Sequence, residues 1–191
     1  MINKLNSVIE LNAEKAEGLR TFSGVKLLHI KKQVELLLSH IGDMGIFSEY
    51  TKHDISHIDE MLKLAEWVIP EETQKIMTSS EWMMLVLSIY FHDMGMIVTK
   101  KEFENRDNSD FTEYKKKVYE GQIGQDYKKK VEKLSEPDKF LYQEFVRKNH
   151  AKRIRMWISG EVDSSLGLTE EITEEIQGLM KNIDSLFKQD L

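Results

Sequence analysis

The chain has 191 residues, 40% of them hydrophobic and 31% charged, which is the balance of an ordinary globular protein and not of a disordered one. It contains no cysteine, which excludes disulfides, thiolate zinc sites and a cysteine nucleophile, so any metal must be held by imidazole and carboxylate. A formal net charge of -6 argues against nonspecific nucleic-acid binding, because that affinity comes mainly from basic groups that release phosphate counterions.

Two prolines and ten glycines interrupt a sequence rich in Leu, Glu, Lys, Met and Ile, residues that lose little rotamer freedom in helices. The expected fold class is all-α. The length suits one domain spanning 1–191, with room for an embedded insertion. Met1 to Glu10 carries no basic segment leading into a long apolar run, and no stretch approaches a membrane span. A cytoplasmic protein without membrane association is expected.

The first helix is predicted from Ile2 to about Ala16, with Leu5, Val8, Ile9 and Leu11 near one face. Val25 to Ile41 places Leu27, Leu28, Val34, Leu37, Leu38 and Ile41 at helical spacing and stops at Gly42. Asp43 to Thr51 reads as a loop, followed by a helix from about Asp54 to Val68 that Pro70 closes. Ser79 or Ser80 with Glu81 then starts a helix whose Trp82 to Met96 is apolar nearly all round, as at the centre of a bundle. From Thr99 to about Glu136 the composition turns strongly charged. This segment repeats Tyr-Lys-Lys-Lys-Val at Tyr114 to Val118 and Tyr127 to Val131. It is expected as a charged helical insertion or lid, its lysines forming solvated faces or lining an anionic substrate. Ser135 and Pro137 open a long helix with Phe140, Leu141, Phe145, Ile154, Trp157 and Ile158 on its apolar face. The last helix begins at Thr169, with Glu170, Glu171 and Glu174 near its positive end, and runs to about Lys188.

Two spacings carry chemistry. His53 and His57 stand four apart, so a helix would project both from one face; Asp54 occupies the place where the zinc-protease pattern needs a glutamate base. Phe91-His92-Asp93-Met94-Gly95-Met96 sets an imidazole beside a carboxylate at the end of an apolar helix, where a charged Asp is costly unless paired or bound to metal. On a helix these neighbours diverge by about 100°, which suits adjacent positions of an octahedral shell better than a mutual hydrogen bond. Gly95 either ends the helix or admits another segment.

A His, then an amphipathic helix, then an apolar helix ending in His92-Asp93-Met94-Gly95 resembles the HD superfamily of metal-dependent phosphohydrolases, over about Tyr50 to Ile158. The approach to His57 is also similar to bacterial HD domains associated with Hsp90-like ATPase modules. The resemblance implies an HD-domain helical bundle in which His57, His92 and Asp93 hold a divalent ion (Mn, Mg, Fe or Zn) that activates water against a phosphoester such as a nucleotide. It further implies phosphate contact for Arg147 and Arg153, which lie with His150 at three-residue steps along one helix. His53 and His150 would hold a second metal or protonate the leaving group. A homo-oligomer or an ATPase-module partner also fits the resemblance.

The family's final metal-binding Asp, on a late helix, has no clear counterpart. Asp163, Asp184 and Asp190 are the candidates, with Asp184 the one well inside a predicted helix. A chain continuing beyond Leu191 is the expected explanation. The rival reading is a degenerate HD scaffold that binds a nucleotide or protein without turning it over, and a third is a dinuclear-iron oxygenase. His29 and His40 match nothing in the pattern and are taken as structural.

Overall fold

The computed structural model describes residues 4–39 and 54–178, and every regular element there is helical. Among the described residues no strand forms; a single bridge pairs Asp163 with Leu168. The chain divides into two compact units, the first holding described residues 4–39 and 54–93, the second 94–178.

The first unit contains α1 (Val8–Glu14), α2 (Leu27–Ser39), α3 (Ile55–Val68), α4 (Glu71–Ile76) and α5 (Ser79–Phe91). Local chemistry fixes their starts. Ser7 and Glu10 form a reciprocal capping box, so α1 begins later than the hydrophobic pattern from Ile2 suggests. Asp54 caps α3 by accepting from the Ser56 N–H, and Thr78 with Glu81 forms a second capping box on α5.

The buried face of α1 differs from expectation. Ile9, Glu10 and Ala13 point inward, while Val8 and Leu11 stay about half exposed. Glu10 is there because its charge is met: Lys31 Nζ on α2 lies 2.7 Å from its Oε1, and Tyr90 on α5 donates to that oxygen at 2.5 Å. Lys31, itself fully buried, also reaches Asp59 on α3 at 2.6 Å. Burial pushes the Glu10 carboxyl up; Lys31, Tyr90 and the Ser7 and Asn6 N–H groups outweigh it and hold the carboxyl at about 2.

In the second unit, a short 3₁₀ turn (Met94–Met96) leads to α6 (Lys100–Glu104), α7 (Ser109–Tyr119), α8 (Gln125–Val131) and α9 (Pro137–Ser159). Residues 170–178 are again helical. The charged segment supplies α6 to α8, and its Phe111, Val118 and Val131 are fully buried, so it contributes core to its unit. The repeated tyrosines meet, their hydroxyls 3.3 Å apart. Pro137 opens α9, and Gly160, at φ +72°, closes it.

The interior face of α9 includes Leu141, Tyr142, Phe145, Val146, Met156 and Trp157, whereas Ile158 is 66% exposed. It also includes Arg153, fully buried. The guanidinium bonds both carboxylate oxygens of Glu102 and the carbonyls of Gly95 (2.8 Å) and Ile97 (2.9 Å), while Tyr142 donates to Glu102 at 2.9 Å. No described helix is long and apolar enough to cross a membrane.

Two outcomes follow from these buried charges. Arg153→Met, which strands Glu102 in the interior, should lower the unfolding free energy by about 3–5 kcal/mol in chemical denaturation, and pairing it with Glu102→Leu should restore most of that loss. Because folding depresses the Glu10 carboxyl from the ordinary 4.5 to about 2, its contribution is complete above 4.5 and is lost as pH falls toward 2. In denaturation series across that window, Glu10→Gln should flatten the acid slope seen in the parent protein.

Candidate metal centre

His57 lies in the first turn of α3, whose N-terminus is fixed by the Asp54 cap. His92 takes the C-cap position of α5, and Asp93 follows it. The helix stops at Phe91 rather than Met96, and the chain turns at His92 and Asp93. Last-turn carbonyls have no helical partner, and the His92 ring fills this need by bringing Nδ1 to within 2.7 Å of the Ile89 carbonyl.

The turn overturns the expectation of diverging side chains. His92 Nε2 stands 2.9 Å from Asp93 Oδ2, a hydrogen-bond distance that adjacent residues of a continuing helix would not give. His57 Nε2 lies 3.5 Å from the same oxygen, and the two imidazole centroids are 5.5 Å apart at a 44° tilt. One ligand atom from each of the three residues falls within 4.8 Å of the others. The Asp93 side chain is only 9% exposed, while the two imidazoles are partly open.

The electrostatics suit a cation. Between the Ile89 carbonyl and the Asp93 carboxylate, both nitrogens of His92 face acceptors, so the metal-free ring is drawn toward the imidazolium. Burial lowers its pKa; the Asp93 hydrogen bond, the Ile89 carbonyl and the Asp93 charge together raise it above the ordinary histidine value. A divalent cation would replace the Nε2 proton, because with Nδ1–H donated to Ile89 the lone pair sits on Nε2. His57, His92 and Asp93 therefore fit the oxygen-and-imidazole donor set of a divalent metal.

The other expected residues fall in different surroundings. Gly95 takes the second of its two foreseen roles: an added Cβ would lie 1.9 Å from the His150 carbonyl oxygen, so the glycine admits the α9 backbone. His150 is half-buried on α9 with Nδ1 2.6 Å from the Arg147 carbonyl, which leaves Nε2 as its second nitrogen. Arg147 is exposed and pairs with Glu144 at 2.9 Å. Arg153 does not fit the phosphate-binding role expected of it, since its guanidinium is enclosed by Glu102 and two carbonyls. Three-residue steps drift about 60° each on a helix, and two of them carry Arg153 some 120° from Arg147 into the interior.

Asp163 serves as a cap, accepting from the Ser165 N–H and pairing with Lys152 at 2.7 Å. His29 is exposed on α2. His40, His53, Asp184 and Asp190 lie outside the described residues.

Sequence reasoning missed the residues that brace the two histidine-bearing helices: Glu10, Lys31, Asp59 and Tyr90. A signal was present for Lys31. It occupies the register of Leu27, Val34 and Leu38 on α2, a charge inside an apolar stripe.

An all-helical fold in which imidazoles from two helices meet a carboxylate at the end of an apolar helix defines an HD-like domain. The HD-CE family model matches residues 47–183, well over half of the chain, and the protein belongs to that family. Searches of curated proteins and of solved structures return no match.

The ligand assignment has a direct check. His92→Ala and Asp93→Ala should each weaken Mn²⁺ binding by at least about 100-fold in calorimetry while circular dichroism retains the parent helicity. Undiminished Mn²⁺ binding in both variants would remove these residues from the site.

Proposed function

We propose that the protein is a metal-dependent phosphohydrolase acting on a small phosphoester, with a nucleotide as the leading candidate, in the cytoplasm. The observation that carries this reading is the convergence of His57 and His92 on Asp93, with the His92 tautomer set by Ile89. When bound, the divalent cation (Mn, Mg, Fe or Zn) supplies Lewis acidity toward a phosphoryl oxygen and makes water a stronger nucleophile near neutral pH.

The chain's own residues divide the remaining work. Asp93 offers a nearly buried carboxylate, and His57 and His92 offer Nε2 atoms from separate helices, so these three residues would hold the cation from two elements. His150, with Nδ1 engaged by the Arg147 carbonyl, would use Nε2 to protonate a leaving group or to take a second cation. His53 belongs to the same role. Arg147 presents an exposed guanidinium for phosphate. Arg153 acts from the interior, as part of the Glu102 network.

A scaffold that binds a nucleotide or protein without catalysis, such as an Hsp90-like ATPase module, is the alternative. It is favoured by one observation: the late-helix Asp that the resemblance implies as the last metal ligand has no clear counterpart in the sequence.

The readings separate in one experiment. Protein supplied with Mn²⁺ and a panel of nucleotides should release phosphate or nucleoside, and each divalent ion that binds should raise the melting temperature. Folded protein that binds Mn²⁺ yet releases neither product would sink the hydrolase and leave a metal-bearing scaffold. A folded chain with no thermal shift for any divalent ion would remove the metal as well.

A further inference from the structure

Helix α3 carries His57 but is thinly anchored by apolar packing. Only Ile58 and Leu62 along its length are fully buried, both at 0% exposure. Apolar contacts are non-directional, and two such residues one turn apart leave a helix free to slide or rotate by small amounts. Two polar ties remove that freedom. Asp59 meets Lys31 at 2.6 Å, and Glu66, seven residues on, accepts from the Val8 N–H at 2.7 Å.

Both ties lead to α1, directly through Val8 and indirectly through the Lys31–Glu10 pair. Helix α5 is tied to the same point, since Tyr90, two residues before His92, donates to Glu10. The polar links between the two metal-bearing helices thus run from Asp59 through Lys31 and Glu10 to Tyr90. Their central members stand on α1 and α2, before the start of the family match at residue 47.

We propose that Lys31 and Glu10 are positioning residues of the metal centre: from N-terminal helices outside the family match, they set α3 against α5 and so hold His57 beside His92 and Asp93. Neither side chain touches the cluster. Lys31 acts through Asp59, and Glu10 through Tyr90. The functional consequence rests on the metal reading above, whereas the placement of the imidazoles does not.

The test uses the full chain, first without metal. The signal is the nuclear Overhauser cross-peak between the ring protons of His57 and His92. Asp59→Asn frees α3 from Lys31 at a partly exposed position where the fold should persist; Lys31→Met with Glu10→Gln removes the bridge while retaining a hydrogen-bond acceptor for Tyr90. Leu38→Ala, in the α2 core, is the control for general loss of stability.

Asp59→Asn and the double variant are expected to keep parent helicity, lose the cross-peak, and bind Co²⁺ about tenfold or more weakly with an altered visible spectrum. Leu38→Ala should retain the cross-peak and the spectrum. A cross-peak kept by folded Asp59→Asn, or lost equally in Leu38→Ala, overturns the proposal. If the parent protein binds no Co²⁺, the metal reading fails, and the metal-free cross-peak still decides the positioning role.

Discussion

The fully buried ammonium of Lys31 is the constraint on which the first unit turns. An isolated charge in such surroundings would cost many kcal/mol, so its presence demands carboxylates at hydrogen-bonding distance, and Glu10 and Asp59 supply them from two other helices. Apolar surfaces between helices tolerate small shifts; a buried cation that must keep two carboxylates within hydrogen-bonding distance does not. The ammonium therefore does for α1, α2 and α3 what Leu and Ile cannot, which is to select one register. Buried ion pairs contribute little net stability compared with apolar residues of similar volume, so conformational specificity is the better account of this one.

The second unit repeats the device with different parts. Arg153 replaces Lys31, Glu102 replaces Glu10, and Tyr142 donates to Glu102 as Tyr90 does to Glu10. The use of arginine has a reason. Its fork meets both Glu102 oxygens and two backbone carbonyls, Gly95 and Ile97, so one side chain fixes a helix and an irregular turn together. Lysine, with a single nitrogen, suits the more compact Glu10 and Asp59 pair.

The helical class, the starts of α3, α5 and α9 and the convergence of His57, His92 and Asp93 were legible because they rest on periodicity, caps and a motif. The errors share a physical origin: each came from applying helix geometry or surface chemistry where a specific polar contact overrode it. Extending α5 to Met96 made His92 and Asp93 diverge, whereas the turn after Phe91 brings them to 2.9 Å. Reading Arg153 as a phosphate ligand assumed an exposed guanidinium, and nothing nearby in sequence announces Glu102 as its partner. Lys31 and Glu10 were hidden for the same reason, since pairing across 21 positions leaves no short-range pattern beyond a charge in an apolar stripe.

The four residues His92-Asp93-Met94-Gly95 combine two requirements that are chemically unrelated. Asp93 belongs to the first unit and His92 orients toward it through Ile89, so the doublet answers to charge and hydrogen bonding. Gly95 opens onto α9, where the His150 carbonyl occupies the space of a side chain, so it answers to volume alone. The two demands fall within two residues of each other along the chain. A substitution at Asp93 removes the carboxylate that both imidazoles face, while one at Gly95 drives the turn off the α9 backbone and disturbs the carbonyls that Arg153 binds. The glycine is a steric residue carried beside the His-Asp doublet, and its exclusion of side chains does not depend on a metal.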